Sequence, residues 1–480
     1  MGYYKWLSNK MLFDICDFAR RIALIGDDGQ QLTYDELNRF IERISYFVEK
    51  RTLVFVLCTN TIGSVAGYVG FIQNEIVPVM LSAGMDKSLL NTLIDTYKPQ
   101  YIWALDDYEF FDGYEIVFEK YCYKLLCSTR INNPYPLNEM LALLLTTSGS
   151  TGSPKFVRQS YENITSNTKS IIEYLNLDSS ERPITTLPMN YTYGLSIINT
   201  HIAVGATILL TDKTLMQKEF WNFFNEQRAT SFGGVPYTYE MLNKLRFFLM
   251  DLPYLRTMTQ AGGKITPELH KKFAEYAINT GKRFIVMYGQ CEATARMGYL
   301  PAEKAIEKIG SMGIAIPGGK FKLVDFDGNE ITQPEINGEL VYEGGNVTLG
   351  YAECGNDLLK GDERHGILET GDLAKRDMDG FYFIVGRKKR FLKIYGNRVN
   401  LDEIDRLIKS KFEIEATCAG VDDHMYIFIT DDSLVRAVKD YVSKTTKLNV
   451  AAFKVVVIDD IPKNESGKIR YSKLEKYYDI

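Results

Sequence analysis

Residues 147–155 combine the residue types that bind phosphate groups: two glycines, five hydroxyl side chains and one lysine. Glycines let the backbone turn so that several N–H groups point at one anion. The hydroxyls add hydrogen-bond donors, and Lys155 adds a mobile positive charge. The spacing is not that of a P-loop, because only two residues separate Gly149 from Gly152. The segment therefore predicts a phosphate-binding loop of another kind.

A second polar segment, from Tyr288 to Glu292, follows an apolar run that is typical of a buried strand. In doubly wound α/β proteins, ligands bind in the crevice at the carboxyl ends of the strands. Tyr288 offers a ring that can lie against a nucleotide base, and Glu292 offers a carboxylate. Carboxylates close to bound phosphates are ligands for Mg²⁺. The segment predicts Glu292 as a metal ligand.

Three later segments also carry residues suited to nucleotide chemistry. Asp372 comes just after a predicted turn and can accept hydrogen bonds from ribose hydroxyls. Residues 386–396 form a basic strip, and Lys468 lies in a second glycine-containing loop near the end of the chain. Each of these segments alone is also compatible with an ordinary turn, linker or tail. Their order along the chain is therefore the informative feature.

The elements that must position these residues alternate between strand and helix in the first part of the chain. Residues 53–57 and 77–81 are typical of buried strands, and residues 65–72 suit a helix. Thr33 and Glu36 have the spacing of a capping box, which begins a helix. Strands that alternate with helices predict an α/β protein with a parallel, doubly wound sheet.

The pattern changes after about residue 310, where short strands are separated by glycine, aspartate and asparagine. This part of the chain predicts a small β-rich unit. The tail after about residue 390 predicts a small separate α+β domain. Its helices and strands are expected at residues 401–411, 415–420, 425–429, 433–443 and 453–458.

The composition limits the class of protein. A chain of 480 residues is too long for one compact core, so two or more domains are expected. The formal net charge of −5 excludes a generally basic surface, so we expect no nucleic-acid partner. Seven scattered cysteines and four distant histidines predict reduced thiols and no histidine-based metal site. We also expect no membrane insertion and a cytoplasmic location, because no long apolar run or secretory signal is present.

Taken together and in this order, the five segments resemble those of the adenylate-forming superfamily, which includes acyl-CoA synthetases, non-ribosomal adenylation domains and firefly luciferase. The resemblance covers nearly the whole chain. It implies a large N-terminal domain, residues 1–387, with doubly wound sheets and a small β-barrel-like unit. It also implies a mobile α+β C-terminal lid domain, residues 388–480.

The resemblance also implies roles for individual residues. Lys468, Glu292 and Lys393 are implied to be catalytic, with Glu292 also holding Mg²⁺, and Lys389 is the implied hinge. The implied ATP-binding residues are Thr147, Ser148, Gly149, Ser150, Thr151, Gly152, Lys155, Gly262, Gly263, Tyr288, Gly289, Cys291, Asp372 and Arg387.

The acid pocket is implied to lie at Tyr191, Gly234, Val235 and Pro236. Residues 187–197 contain no Asp or Glu, and an unpaired ammonium in a buried pocket is costly, so α-amino acids are disfavoured as substrates. Two positions depart from the superfamily pattern. Cys291 stands where a threonine is usual, and a thiol is a weaker donor. Tyr191 stands where many CoA ligases have histidine.

The implied reaction has two halves. A carboxylic acid reacts with ATP to give an acyl-adenylate and pyrophosphate, and the acyl group then passes to a pantetheine thiol of CoA. An alternative acceptor is the phosphopantetheine arm of an acyl or peptidyl carrier protein. Two other classes stay open, a kinase-like phosphotransferase and a non-catalytic binding module.

Overall fold

A computed structural model describes residues 12–108, 111–130, 136–146, 155–325, 327–394, 397–421, 423–446, 448–463 and 469–478. Contacts between Cα atoms divide the chain into two compact units. The first comprises Met1–Phe321 and Tyr342–Leu368, and the second comprises Lys322–Val341 and Glu369–Ile480. The units therefore alternate along the sequence. The expected domain boundary at residue 387 stays a prediction.

The first unit contains an eight-stranded sheet whose central strands are almost entirely apolar and buried. Its four central strands run parallel to one another, and antiparallel strands complete both edges. In spatial order the strands are Gly350–Ala352, Phe156–Ser160, Leu141–Thr146, Val77–Ser82, Leu53–Cys58, Tyr101–Leu105, Tyr123–Ser128 and Tyr114–Lys120.

A second sheet in the same unit has nine strands, of which the central six are parallel and the outer three pair antiparallel. In spatial order they are Ile314–Ala315, Gly298–Tyr299, Arg283–Tyr288, Thr257–Gln260, Ser231–Gly234, Pro183–Ile184, Ile208–Leu210, Ile22–Gly26 and Gln31–Thr33. The predicted α/β class and doubly wound arrangement are thus present. The sheets are mixed rather than purely parallel, because short hairpins add antiparallel strands at their edges.

Eight helices of nine or more residues accompany these sheets in the described part of the first unit. The predicted capping box is present, since the Thr33 hydroxyl accepts from the Glu36 amide and the Glu36 carboxylate accepts from the Thr33 amide. The helices are Tyr34–Ile44, Ile62–Gln73, Lys87–Tyr97, Tyr161–Leu175, Thr192–Ala203, Lys218–Glu226, Pro236–Lys244 and Pro267–Asn279.

The second unit carries most of a four-stranded sheet and a small α+β segment. The sheet consists, in spatial order, of Gly319–Val324, Gly338–Gly344, Ile367–Arg376 and Tyr382–Arg387. The remaining strands and helices are Phe391–Ile394, Asn397–Asn400, Leu401–Phe412, Ala416–Val421, His424–Ile429, Val435–Thr446 and Phe453–Val457. These bounds agree with the predicted order of elements in the tail. In the described part of the chain, no helix combines the length and apolar character needed to span a bilayer.

The helix Ile62–Gln73 is buried on all sides, and its glycines allow close packing. A Cβ at Gly67 would lie 2.2 Å from the indole nitrogen of Trp103. That nitrogen donates to the Gly63 carbonyl at 2.9 Å, and Trp103 is fully buried. The indole therefore cannot move aside without losing this hydrogen bond.

Gly67→Ala is expected to lower the free energy of unfolding by about 1–3 kcal/mol, because the added methyl overpacks a rigid core. The matched control is Gly361→Ala, where no atom lies within 4 Å of the added Cβ. This control should stay within about 0.5 kcal/mol of the parent protein. Urea unfolding measures both changes. Equal stability of the two variants would contradict the packing described here.

Candidate active site

The predicted phosphate loop joins two neighbouring strands of the eight-stranded sheet. The strands Leu141–Thr146 and Phe156–Ser160 pair antiparallel, with Thr146 opposite Phe156. The segment between them therefore leaves and re-enters the sheet at adjacent points. The loop residues Thr147, Ser148, Gly149, Ser150, Thr151 and Gly152 lie outside the described residues, and the description resumes at Lys155.

Lys155 and Arg364 lie against the same aromatic ring, that of Tyr351. The Lys155 Nζ is 3.8 Å from the ring centroid, and the Arg364 Cζ is 4.5 Å from it. Lys155 also lies 3.5 Å from the exposed carboxylate of Glu353. Tyr351 belongs to the strand Gly350–Ala352, which pairs with the strand that follows the loop. The pairing thus places two cations beside the end of the predicted phosphate loop.

The Tyr351 hydroxyl donates to the Glu292 Oε1 at 2.8 Å. Burial and the neighbouring Glu292 carboxylate raise the pKa of Tyr351, so the phenol stays protonated and remains a donor. The Glu292 carbonyl accepts from the Thr348 amide at 3.0 Å and from the Arg364 Nη1 at 3.0 Å. Both ends of Glu292 are therefore held. Its Oε2 accepts no hydrogen bond from the described residues.

A strained turn follows Glu292. Thr294 has φ 65° and ψ −61°, which is uncommon for a β-branched residue. The turn is held by its neighbours: the Thr294 hydroxyl donates to the Asn346 carbonyl at 2.7 Å, and the Thr192 hydroxyl donates to the Thr294 carbonyl. Backbone strain of this kind persists only where surrounding contacts impose it, and it clusters at functional sites.

The same turn explains the need for glycine at position 289. A Cβ on Gly289 would lie 1.8 Å from the Ala295 carbonyl oxygen. Cys291 begins the short 3₁₀ segment Cys291–Ala293 and is buried. Tyr288 ends the strand Arg283–Tyr288, and its hydroxyl accepts from the side-chain Nε2 of Gln290 at 3.2 Å. Strand and turn together fix the backbone of the whole predicted motif.

The residues predicted to line the acid pocket and the nucleotide loop meet around Tyr191. A Cβ on Gly262 would lie 2.7 Å from the Tyr191 hydroxyl and 3.1 Å from Val235. Gly262 has φ +82°, which a side chain would disfavour. A Cβ on Gly263 would likewise lie 3.0 Å from the side chain of Pro236. Gly234 differs, because a Cβ there would meet Thr238 and Tyr239 of the following helix.

In the second unit, Asp372 and Arg387 lie opposite each other on adjacent antiparallel strands. The Arg387 Nε lies 3.2 Å from the Asp372 Oδ1, and Asp372 is 4 % exposed. The prediction that Asp372 follows a turn is wrong, because it lies inside the strand Ile367–Arg376. Gly371 has φ +69° and the strand register shifts just beyond Asp372, so a local irregularity inside a strand resembles a turn in the sequence.

The remaining predicted residues are only partly described. Lys389 lies in the 3₁₀ segment Lys388–Arg390, and Lys393 lies in the strand Phe391–Ile394. Lys468 lies outside the described residues. The assigned roles of all these residues stay predictions.

Sequence reasoning missed three residues of the first unit. Tyr351 and Arg364 join the site only through strand pairing and loop packing, and no local pattern marks them. Arg296 had a weak signal, since it is a charged residue in an otherwise apolar segment just after Glu292.

A family model for AMP-binding enzymes matches residues 16–352 of this chain. The chain therefore belongs to the AMP-binding enzymes. The resemblance to the adenylate-forming superfamily is confirmed.

Relatives of the chain include several named CoA ligases. The chain is 26 % identical to 2-succinylbenzoate–CoA ligase of Bacillus pumilus over 72 % of this chain and 71 % of that protein. It is 27 % identical to oxalate–CoA ligase of Arabidopsis thaliana, over 68 % and 66 %. It is 26 % identical to medium-chain fatty-acid–CoA ligase of Escherichia coli, over 70 % and 61 %.

Solved structures confirm the α/β fold. The chain matches o-succinylbenzoate CoA synthetase of Bacillus subtilis in complex with AMP, with a TM-score of 0.78 and 21 % identity. That match covers 97 % of this chain and 98 % of the other. ATP-bound MatB of Rhodopseudomonas palustris matches with a TM-score of 0.76 and 20 % identity, over 98 % and 99 %.

The hydroxyl of Tyr351 can be tested separately from its ring. Tyr351→Phe removes the hydrogen bond to Glu292 and should lower the free energy of unfolding by about 1 kcal/mol. Tyr351→Leu also removes the ring that both cations contact and should cost about 1 kcal/mol more. Tyr46→Phe is the control, because Tyr46 is 80 % exposed. Denaturant unfolding that fails to separate Tyr351→Phe from this control would contradict the described contact.

Proposed function

We propose that this chain joins a carboxylic acid to AMP, releases pyrophosphate, and transfers the acyl group to the thiol of CoA. The observation that carries this proposal is the arrangement of Lys155, Arg364 and Glu292 around Tyr351, beside the loop that follows a central strand. It combines fixed positive charge with a carboxylate at one edge of the sheet. Membership of the AMP-binding enzymes supports the same reaction.

The first half-reaction requires charge neutralisation more than covalent chemistry from the protein. The acid's carboxylate oxygen attacks the α-phosphorus of ATP, and the bond to pyrophosphate breaks. Lys155 and the hydroxyl-rich loop would hold the outer phosphates. Arg364 would add a second positive charge near them. Because the ring of Tyr351 fixes both cations, little reorganisation is needed when phosphate binds.

Glu292 fits the role of a magnesium ligand. Mg²⁺ is commonly held by one or two carboxylates together with substrate phosphates rather than by a full protein cage. The Glu292 Oε1 accepts from Tyr351, which orients the carboxylate, and its Oε2 has no described hydrogen-bond partner. When bound, Mg²⁺ would neutralise charge on the phosphate oxygens. Among the described residues, no cluster of three or more potential metal ligands offers another site.

For the ribose, we propose Asp372 as the acceptor of hydroxyl hydrogen bonds and Arg387 as the residue that orients it. The buried carboxylate and its cross-strand arginine support this role. For the reacting carboxylate and the α-phosphate, we propose Lys468 as the stabilising cation. Lys389 is the proposed hinge and Lys393 the proposed contributor to thioester formation. These roles rest on the positions of the residues within the superfamily pattern.

The acceptor and the compartment are further parts of the proposal. The relatives are named CoA ligases, which favours CoA over a carrier protein. Incubation with CoA and with a holo-carrier protein, followed by mass analysis of both, separates the two acceptors.

We propose a cytoplasmic location, because all seven cysteines are unpaired, as is usual in a reducing compartment.

Lys468→Ala should reduce acid-dependent exchange of labelled pyrophosphate into ATP by about a hundredfold or more, since it removes a charge that stabilises the transition state. Lys463→Ala is the control, because Lys463 pairs with Glu415 within the second unit. The control should keep most of the exchange. Near-normal exchange by Lys468→Ala, with both proteins folded, would contradict the proposed role.

A further inference from the structure

Arg296 is a buried charge in the first unit. The residue is only 2 % exposed to solvent. Its backbone is fixed, because its carbonyl accepts from the Asn167 side chain at 2.8 Å and from the Asn346 side chain at 3.1 Å. The strained turn at Thr294 directly precedes it. The backbone segment that positions Glu292 therefore also positions Arg296.

The guanidinium of Arg296 has no acidic partner among the described residues. Its Nη1 lies 3.2 Å from the Tyr174 hydroxyl and 3.2 Å from the Met287 sulfur. Its Cζ lies 4.9 Å from the centroid of the Tyr193 ring. Among the described residues, the buried Nε has no hydrogen-bond partner. The hydrogen bonds that the guanidinium makes to these residues all come from Nη1. The edge of the guanidinium formed by Nε and Nη2 thus makes no hydrogen bond to the described residues.

The neighbouring phenols do not neutralise this charge. Burial raises the pKa of Tyr193 to about 12 and also raises the pKa of Tyr174. Both therefore stay neutral at physiological pH, whereas an arginine side chain stays charged. A buried charge without a counter-ion is destabilising. The contact with the Tyr193 ring offsets only part of that cost.

The other two buried arginines of the described residues each pair with a carboxylate. Arg158 pairs with Glu363, and Arg390 pairs with Asp405 at 2.6 Å. Like Arg296, both are less than one tenth exposed. Arg296 is the exception among the three, because the described protein supplies it with no carboxylate. An anion from outside the chain would complete its surroundings.

The surroundings of Arg296 belong to the proposed acid pocket. Tyr193 and Met287 are members of a hydrophobic cluster that also contains Val235. Tyr174 and Tyr191 pack against the same cluster. The guanidinium therefore contacts the same hydrophobic cluster as residues expected to surround the acid.

We propose that Arg296 binds a second anionic group of the acid, so that the preferred substrate is a dicarboxylic acid. One carboxylate reacts with ATP, and the other accepts from Nε and Nη2 of Arg296. Two parallel hydrogen bonds from one guanidinium edge match the geometry of a carboxylate. This inference rests on the proposed acid-activating function and deepens it by naming the substrate class.

The test compares α,ω-dicarboxylic acids of graded length, and aromatic dicarboxylic acids, with the half-amide of each. AMP formation should favour the best diacid over its half-amide by about a hundredfold in kcat/KM, because the amide leaves the buried guanidinium without an anion. Arg296→Gln should lose about a hundredfold on the diacid and keep its activity on the half-amide. Arg296→Lys should recover part of the activity on the diacid. Arg39→Gln, at an exposed arginine, is the control.

Thermal unfolding supplies a second readout that does not depend on turnover. The diacid should raise the melting temperature of the parent protein and leave that of Arg296→Gln unchanged. Without ligand, Arg296→Met should melt at or above the parent temperature, because it removes an uncompensated buried charge. Lower melting of Arg296→Met would instead indicate a structural arginine and would contradict the proposal.

The outcomes also separate this inference from the proposed function. Two results would overturn the role of Arg296 without affecting the proposed function. One is equal kcat/KM of the parent protein on the diacid and its half-amide. The other is an equal loss of kcat/KM on all acids in Arg296→Gln. If no acid yields AMP, the proposed function fails. The diacid-dependent melting shift then still decides whether Arg296 binds a second carboxylate.

Discussion

The site in the first unit depends on the ring and hydroxyl of Tyr351. Lys155 and Arg364 both lie against the ring although both are positively charged, and the hydroxyl donates to the carboxylate of Glu292. Like charges repel, so this arrangement needs an aromatic face and a nearby anion to be stable. The positive charges of Lys155 and Arg364 would therefore already be in position when a polyphosphate binds.

Two parts of the first unit hold Tyr351 and its partner Glu292 in place. The strand Gly350–Ala352 pairs with Phe156–Ser160, and buried Arg158 donates to the Tyr351 carbonyl at 2.9 Å. On the other side, Thr294, two residues after Glu292, has a backbone conformation that few residues adopt. The turn at Thr294 precedes Arg296, so one strained segment positions both the proposed magnesium ligand and the proposed acid-binding arginine.

Local patterns predicted the parts of this structure that depend on local forces. The capping box at Thr33 and the apolar strands follow from spacing alone, and so do Lys155 and Glu292 as charged residues next to strand ends. Tyr351 and Arg364 could not be predicted, because they meet Glu292 through pairing between distant segments. The sequence predicts a turn before Asp372, because a positive-φ glycine inside a strand has the same sequence signature as a turn.

Isotopic labelling of the acid's carboxylate oxygens tests the acyl-adenylate reaction most directly. When the acid attacks the α-phosphorus, one carboxylate oxygen becomes bonded to phosphorus, and it leaves with AMP when the thiol attacks the acyl carbon. With a carboxylic acid labelled with ¹⁸O in its carboxylate, mass spectrometry should find one labelled oxygen in AMP and unlabelled pyrophosphate. Unlabelled AMP, or formation of ADP in place of AMP, would contradict an acyl-adenylate intermediate.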